Sequence, residues 1–137
     1  MDLARHRLIE LLSHYQAFVR CELVCVFDGY KIKGNPGDHQ TVDGIHVVYT
    51  KEGETADRYI ETLLKEIGSH YNVRIATSDA LIQLSAVSSG VLRMTAGELE
   101  EEISGVQKKL ALLVEELNRK NDKLKNRLDL TVKNEGR

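Results

Sequence analysis

The sequence contains no tryptophan, one proline and two cysteines in its 137 residues. Two cysteines are too few for a disulfide framework, and Cys21 and Cys25 have no His or Cys partner at the spacing of a zinc site. We therefore expect both to be reduced core residues. No apolar run is long enough to span a bilayer and no signal-peptide pattern opens the chain, so the expected location is the cytoplasm.

An excess of either charge is also missing, since 19 basic and 21 acidic side chains give a formal charge of −2. This balance argues against a strongly basic nucleic-acid binder. It does not exclude a protein that holds phosphates through metal ions or a local basic patch. No P-loop, Rossmann glycine fingerprint or Ser-His-Asp arrangement is present. A hydrophobic content of 42% suits one globular domain of this length.

Hydrophobic periodicity predicts helices that alternate with short strands. This alternation indicates an α/β domain with a mostly parallel sheet. The segment between the first two strands is rich in glycine and charge and is predicted to be a mobile loop. The predicted order is helix 3–19, strand 22–27, loop 29–43, strand 45–49, helix 56–68, strand 73–77, helix 79–88, strand 91–94 and a long helix that opens with a capping box at 95–98.

Three aspartates lie at positions where α/β domains usually place their catalytic and ligand-binding residues. Asp28 and Asp79 each follow a predicted strand, and Asp57 lies at the start of a predicted helix. Ligands of open parallel sheets collect beyond the carboxyl ends of the strands. Carboxylates that converge there suit hard cations such as Mg²⁺ or Mn²⁺, which activate water and polarise phosphoryl groups. The pattern therefore favours a metal-dependent nuclease.

Each aspartate also has a purely structural interpretation. Asp79 is suited to cap a helix, Asp57 is favourable at a helix N-terminus, and Asp28 is an ordinary solvated residue at a strand end. The lysines near Gly34 are as readily explained by a solubilising loop as by an RNA contact. From the residues alone, both interpretations stay open.

Four segments, taken in order, resemble the YacP-like NYN family, a branch of the PIN-like nucleases. They are residues 24–34, 48–57, 76–79 and 90–96. The stretch Tyr-Thr-Lys-Glu-Gly-Glu-Thr-Ala-Asp that ends at Asp57 is the most specific of them. The resemblance covers most of the chain, from Leu3 to Ile103. It implies a three-layer PIN-like α/β fold, here with a long C-terminal helix, and a metal-binding acidic pocket.

The resemblance further implies an endoribonuclease, with ribosome-associated cleavage of mRNA in at least some members. Asp28, Asp57 and Asp79 match the family's acidic positions and would hold Mg²⁺ or Mn²⁺. Glu54 would orient a metal-bound water. The expected RNA contacts are a stacking Tyr30, the phosphate contacts Lys31, Lys33, Lys51 and Arg93, and the motif residues Thr77 and Ser78.

The sequence departs from the family pattern at its start. The family begins with a strand that carries Val-Asp-Gly-Tyr-Asn, whose aspartate leads the metal ligands, and no segment before Leu3 supplies it. We expect this strand to be absent from residues 1–107, the predicted NYN domain, and two neighbouring strands to keep unpaired edges. The alternative function is then a catalytically impaired module that binds RNA or protein.

Residues 108–137 are predicted to extend the last helix beyond the domain and to end in a tail. Apolar residues at heptad-like spacing run from Leu99 to Leu117 and continue at Leu124. The inner turns are expected to pack on the sheet. Past Leu110 three interpretations stay open: a homodimer seam, a docking helix for a ribosome or protein partner, or a frayed tail.

Overall fold

In a computed structural model, the chain is described over residues 2–67 and 70–135, without the side chains of Asp2 and of residues 129–135. Four helices and five strands lie within these ranges, and all of them except β2 were predicted. Their bounds are α1 Asp2–Val19, β1 Val24–Phe27, β2 Asp38–Val42, β3 Ile45–Tyr49, α2 Ala56–Ile67, β4 Arg74–Ala76, α3 Ala80–Ser88, β5 Leu92–Met94 and α4 Ala96–Glu135. Gly68, the predicted end of α2, lies outside the described residues.

The described strands form two sheets, in the orders β1-β3-β2 and β4-β5. β1 runs parallel to β3 and β4 runs parallel to β5, so the prediction of mostly parallel pairing is confirmed. Among the described residues β1, β2, β4 and β5 each pair with a single strand.

The prediction that residues 29–43 form a mobile loop is wrong for the second half of that segment. Residues 38–42 form β2, which pairs antiparallel with β3. The connection is Asp43-Gly44, and both residues have positive φ angles, 48° and 86°. An Asp-Gly turn with two positive φ angles has the right-handed twist that a two-residue hairpin requires. The Asp43-Gly44 dipeptide by itself indicates a hairpin turn, but the glycine-rich composition of the whole segment favoured a loop.

Apolar side chains from α2, α3 and β4 pack together into a buried cluster on one side of the domain. Leu64, Ile75, Ile82, Ala86 and Val91 form this cluster, with Ile60 and Val73 packed against it. The helix ends follow the sequence. The Thr55 hydroxyl accepts a hydrogen bond from the Arg58 amide at the start of α2, and the Thr95 hydroxyl accepts one from the Glu98 amide at the start of α4. Each contact satisfies one of the amides that a helix leaves unpaired at its N-terminus.

Both cysteines are free, as predicted, but they are half-buried rather than part of the core. Burial raises the pKa of the Cys25 thiol to about 11. At neutral pH this thiol is therefore almost fully protonated, which makes it a poor nucleophile and metal ligand.

A buried tyrosine connects three elements on the other side of the domain. The Tyr15 hydroxyl donates a hydrogen bond to Glu102 Oε2 at 2.6 Å and accepts one from Arg74 Nη2 at 2.8 Å. Arg74 also forms an ion pair with Glu102, at 3.0 Å between Nη1 and Oε1. Burial, followed by the hydrogen bond to Glu102, raises the pKa of Tyr15. The network joins α1, β4 and the first turns of α4.

We expect Tyr15→Phe to lower the free energy of unfolding by about 1.5 kcal/mol, the lower end of the usual net contribution of a hydrogen bond to a charged group. The loss stays modest because Arg74 and Glu102 still pair with each other. Urea unfolding measures the difference. Tyr71→Phe, at a site where the side chain is 67% exposed, is the matched control and should leave the stability unchanged. Equal stability of the Tyr15→Phe variant and the wild type would contradict a stabilising role for the network.

The chain divides into two compact units, Met1–Ile103 and Ser104–Arg137. The first contains all five strands and every residue predicted to act in the site. In the second, the described residues belong to the continuation of α4. None of the described helices is long and apolar enough to cross a membrane.

Candidate active site

The turn after β1 holds Asp28 through contacts with a neighbouring loop. The Gly29 amide donates to the Thr50 hydroxyl at 2.8 Å. Asn35 Nδ2 donates to the carbonyl oxygens of Thr50 and Gly29, at 2.9 and 3.3 Å. Asp28 Oδ1 accepts a hydrogen bond from the Tyr30 amide at 2.9 Å, which leaves its other oxygen for a ligand. Asn35 and the buried Thr50 thus position Asp28, a role that the sequence analysis did not foresee.

Asp57 lies in the first turn of α2, as predicted. The capping hydroxyl of Thr55 fixes where this helix begins. The side chain of Asp57 is half-buried. A helix N-terminus stabilises a negative charge, so its position alone would favour the ionised form of Asp57.

Asp79 has the capping role that its residue type allowed. It is the N-cap of α3, and its Oδ1 accepts hydrogen bonds from the amides of Leu81 and Ile82, at 2.9 and 3.1 Å. The Thr77 hydroxyl accepts from the Asp79 amide at 3.1 Å, and Gln83 Nε2 donates to the Thr77 carbonyl at 2.8 Å. The turn is therefore fixed on both sides, and the carboxyl group of Asp79 remains close enough to interact with Asp57.

The pKa of Asp57 is raised by burial and by neighbouring carboxylates. Burial raises this pKa first, followed by the charge of Asp79 and a hydrogen bond between the two carboxyl groups, and then by the charges of Asp28 and Glu61. In the protonated state, the Asp57 carboxyl group donates this bond to Asp79. Three segments distant in sequence thus bring their carboxylates into one electrostatic neighbourhood. The net rise means that burial and like charges outweigh the favourable helix N-terminus.

Glu61 belongs to this neighbourhood but was not predicted. It lies one helical turn after Asp57 on α2, so both side chains lie on the same face of the helix. The spacing of four residues was visible in the sequence. That spacing alone does not indicate a functional site, because acidic pairs four residues apart are common on solvated helix faces.

The donor chemistry of this acidic cluster, defined as Asp28, Asp57, Glu61 and Asp79, suits a hard divalent cation. Within the described ranges, no Lys, Arg or His nitrogen forms an ion pair with any of the four carboxylates. A bound cation would therefore relieve the repulsion that contributes to the raised pKa of Asp57. As placed, however, no three His, Cys, Asp or Glu side chains among the described residues are grouped closely enough to hold a metal ion. Within the cluster, Asp57 and Asp79 are the two carboxyl groups that interact through a hydrogen bond.

Most of the residues predicted to contact RNA are exposed. Hydrogen bonds hold the loop that contains Tyr30 against the loop that contains Lys51: the Gly53 amide donates to the Tyr30 carbonyl at 3.1 Å and the Glu52 amide to the Asn35 carbonyl at 3.0 Å. Tyr30 is 45% exposed. Of the other predicted contacts, Lys31, Lys33, Lys51, Ser78 and Arg93 are exposed and Thr77 is half-buried; Glu54, predicted to orient a water, is also half-buried. Among the described side chains, no ion pair links Arg93 to the acidic cluster.

A separate cleft of about 610 Å³ lies between α1 and the β2–β3 hairpin. Its lining includes His6, His14, Gln40 and Tyr49. At the same sheet face Tyr49 stacks on Phe27, with 5.2 Å between ring centroids, and the Arg5 guanidinium lies over both rings at 5.6 and 5.7 Å. None of the predicted site residues lines this cleft, so shape alone does not locate the acidic cluster.

Comparison with known proteins gives a consistent result. The family model described as "YacP-like NYN domain" matches residues 1–136. The chain is 33% identical over 108 residues to a Bacillus subtilis (strain 168) protein named "Uncharacterized protein YacP". That alignment covers 78% of this chain and 63% of the relative, so the chain spans less than two thirds of the relative's length.

Solved structures show the same likeness. The crystal structure of Rae1 (YacP) from Bacillus subtilis is similar with a TM-score of 0.72 and 30% identity, over 94% of this chain and 74% of that one. A mutant of the same protein gives a TM-score of 0.73 and 29% identity, over 85% and 68%. These structures confirm the predicted PIN-like α/β fold with its long C-terminal helix.

Proposed function

We propose that this chain, which belongs to the YacP-like NYN domain family of PIN-like nucleases, is a divalent-metal-dependent endoribonuclease that hydrolyses RNA phosphodiester bonds. The observation that supports the proposal is that Asp28 and Asp79, from two other segments, lie near enough to Asp57 to add to the rise in its pKa that burial causes. Clustered carboxylates without a protein counter-ion are suited to bind a metal cation. PIN-like nucleases generally use such ions.

The proposed cation is Mg²⁺ or Mn²⁺, held by Asp57 and Asp79, with Asp28 and Glu61 adding oxygen ligands or negative charge. When bound, the ion supplies a more acidic water and polarises the phosphoryl oxygen. The side chains of this chain prepare the site for that ion. The amides at the start of α3 orient Oδ1 of Asp79, the Thr77 hydroxyl holds the Asp79 backbone amide, and Asn35 and Thr50 fix the turn that presents Asp28. Glu54 is proposed to orient the attacking water.

RNA would approach over the two joined loops beside the acidic cluster. Tyr30 offers an exposed ring for stacking on a base, and Lys31, Lys33 and Lys51 offer exposed ammonium groups to phosphates. Ser78 and Arg93 are proposed to contact the RNA at the neighbouring strand ends. Thr77 is proposed to act mainly through its bond to the Asp79 amide. These groups would compensate locally for the overall charge of −2.

The proposed substrate is mRNA, and cleavage on the ribosome is the finer assignment that the family resemblance suggests. We assign the nuclease domain to residues 1–107 and an extended helix with its tail to residues 108–137. The structural units divide slightly earlier, between Ile103 and Ser104. The C-terminal helix is the proposed contact for a protein partner or a second copy.

A second candidate function is a module that binds RNA or protein without cutting. It is favoured by the observation that no three potential ligand side chains among the described residues are grouped closely enough for a metal ion. Bound RNA or the ion itself would have to draw Asp28 or Glu61 toward the Asp57–Asp79 pair for catalysis. The two candidates therefore differ in whether the acidic cluster can complete a metal site.

Cleavage of end-labelled single-stranded RNA distinguishes them. We expect internal cleavage products with Mn²⁺ or Mg²⁺, and none with a chelator. The same ions should raise the melting temperature of the wild type, because they relieve the repulsion between Asp57 and Asp79. Asp38→Asn, at an exposed position on β2, is the control and should behave as the wild type. RNA binding without cleavage under every metal condition would establish the binding module instead.

A further inference from the structure

The outer part of α4 carries an apolar surface with no described partner. Leu113, Leu117, Leu124 and Leu128 are 49%, 57%, 57% and 57% exposed. At about 100° of rotation per residue, the four side chains fall within an arc of about 60° of the helix surface. We call these four residues the leucine stripe. Exposed apolar rows of this kind mark surfaces that bury against another chain.

The stripe has a self-complementary arrangement. Two leucines precede and two follow a polar centre made of Lys120 and Asn121. If a second helix lies antiparallel with its midpoint at this centre, Leu113 stands opposite Leu128 and Leu117 stands opposite Leu124, in both directions. Such a match of one surface with itself is what a two-fold symmetric dimer requires.

The charges favour the antiparallel direction. Glu115 and Glu116 lie at one end of the segment, whereas basic residues dominate the other end, beyond Leu117. An antiparallel second copy brings Glu116 level with Lys125 and next to Lys123 of the opposite helix. A parallel, aligned copy would place the two basic segments side by side. Within a single chain, Glu116 forms an ion pair with Lys120 of the same helix, at 3.4 Å between Oε1 and Nζ, and both groups are largely exposed.

We propose that a second copy of this chain occupies the leucine stripe and forms an antiparallel two-helix dimer centred between Lys120 and Asn121. The polar centre fixes the register, since Lys120 and Asn121 face each other in the matched alignment and would be buried against leucine in a shifted one. The stripe covers about four turns, which is short for a coiled coil, so the dimer should dissociate on dilution. This inference is independent of the nuclease assignment.

Sedimentation velocity of the full chain over a wide concentration range tests the association. We expect a monomer at low concentration and a dimer at high concentration. Leu117→Lys should abolish the dimer. Leu112→Lys is the matched control, because Leu112 is 64% exposed but lies outside the arc of the stripe, and it should leave the dimer intact. Circular dichroism verifies that both variants remain helical. Monomer mass for the wild type at every concentration would overturn the proposal.

Disulfide cross-linking tests the direction, in a background with Cys21→Ser and Cys25→Ala. A mixture of the Leu117→Cys and Leu124→Cys variants should give mostly the mixed cross-link, because these positions face each other in the antiparallel pair. Each variant alone should cross-link poorly. Efficient self-cross-linking of either variant would indicate a parallel pair and contradict the proposed arrangement.

Discussion

We expect Asp57→Asn to abolish the proposed RNA cleavage and, at the same time, to stabilise the metal-free chain at neutral pH. Cleavage should fall by about two orders of magnitude or more, the range found when one preorganised charge is removed from an active site. Stability should rise because the variant keeps a hydrogen-bonding group beside Asp79 but carries no charge. Burial and the charges of Asp79, Asp28 and Glu61 raise the pKa of Asp57, so the ionised form is disfavoured in the folded state.

The pH dependence of the stability difference follows from the direction of that shift. A group whose folded pKa lies above its unfolded value contributes its stability in full below the unfolded pKa, near 4 for aspartate. That contribution is lost as the pH rises through the folded pKa. The Asp57→Asn variant cannot lose it. Urea titrations should therefore show nearly equal free energies of unfolding at acidic pH, and a difference in favour of the variant that grows toward neutral pH.

Asp79→Asn separates the chemical role of the site from its structural role. Asparagine caps helices about as well as aspartate, so α3 should keep the two amide bonds now accepted by Asp79 Oδ1. We expect cleavage to be lost with little change in folding, and the metal-induced rise in melting temperature to disappear. Cleavage at the wild-type rate in either the Asp57 or the Asp79 variant would remove the acidic cluster from the mechanism.

Gly29→Ala should inactivate the site through the backbone. A Cβ at this position would collide with the carbonyl oxygen of Thr50 and approach Asn35 Nδ2 to 2.5 Å. Gly29 does not have a positive φ angle, so the requirement for glycine is one of space and not of backbone conformation. The turn must shift and carry Asp28 with it. A misplacement of about 1 Å can cost about a hundredfold in rate, and overpacking costs about 1–3 kcal/mol of stability.

Gly97→Ala is the control for that substitution. A Cβ there would meet only Thr95 Oγ1, at 3.8 Å, and alanine favours the helix. Steady-state cleavage rates and urea midpoints of the two variants should differ clearly, with the Gly97 variant at or above wild-type stability. An active Gly29→Ala enzyme of normal stability would show that the contacts of Thr50 and Asn35 with this turn are dispensable.

Local sequence was sufficient for most of the fold because its elements carry their own start and stop information. Thr55, Asp79 and Thr95 mark helix starts by residue type, and each side chain accepts the amide bonds expected of a cap. The β2–β3 hairpin was missed because polar residues such as His39 and Gln40 gave no apolar alternation, although Asp43-Gly44 marked the turn. For that segment, pairing with the buried strand β3 outweighed composition.

Local patterns were enough to predict the α/β class, the order of every element except β2, and the three aspartates at their ends, because periodicity, capping and turn preferences act over a few residues. Tertiary contacts bring Asp57 and Asp79 together, add the charge of Glu61, and let Asn35 and Thr50 hold the turn of Asp28. Those properties depend on the distances between segments far apart in the chain. Desolvation and Coulomb energies follow these distances, and no local pattern encodes them.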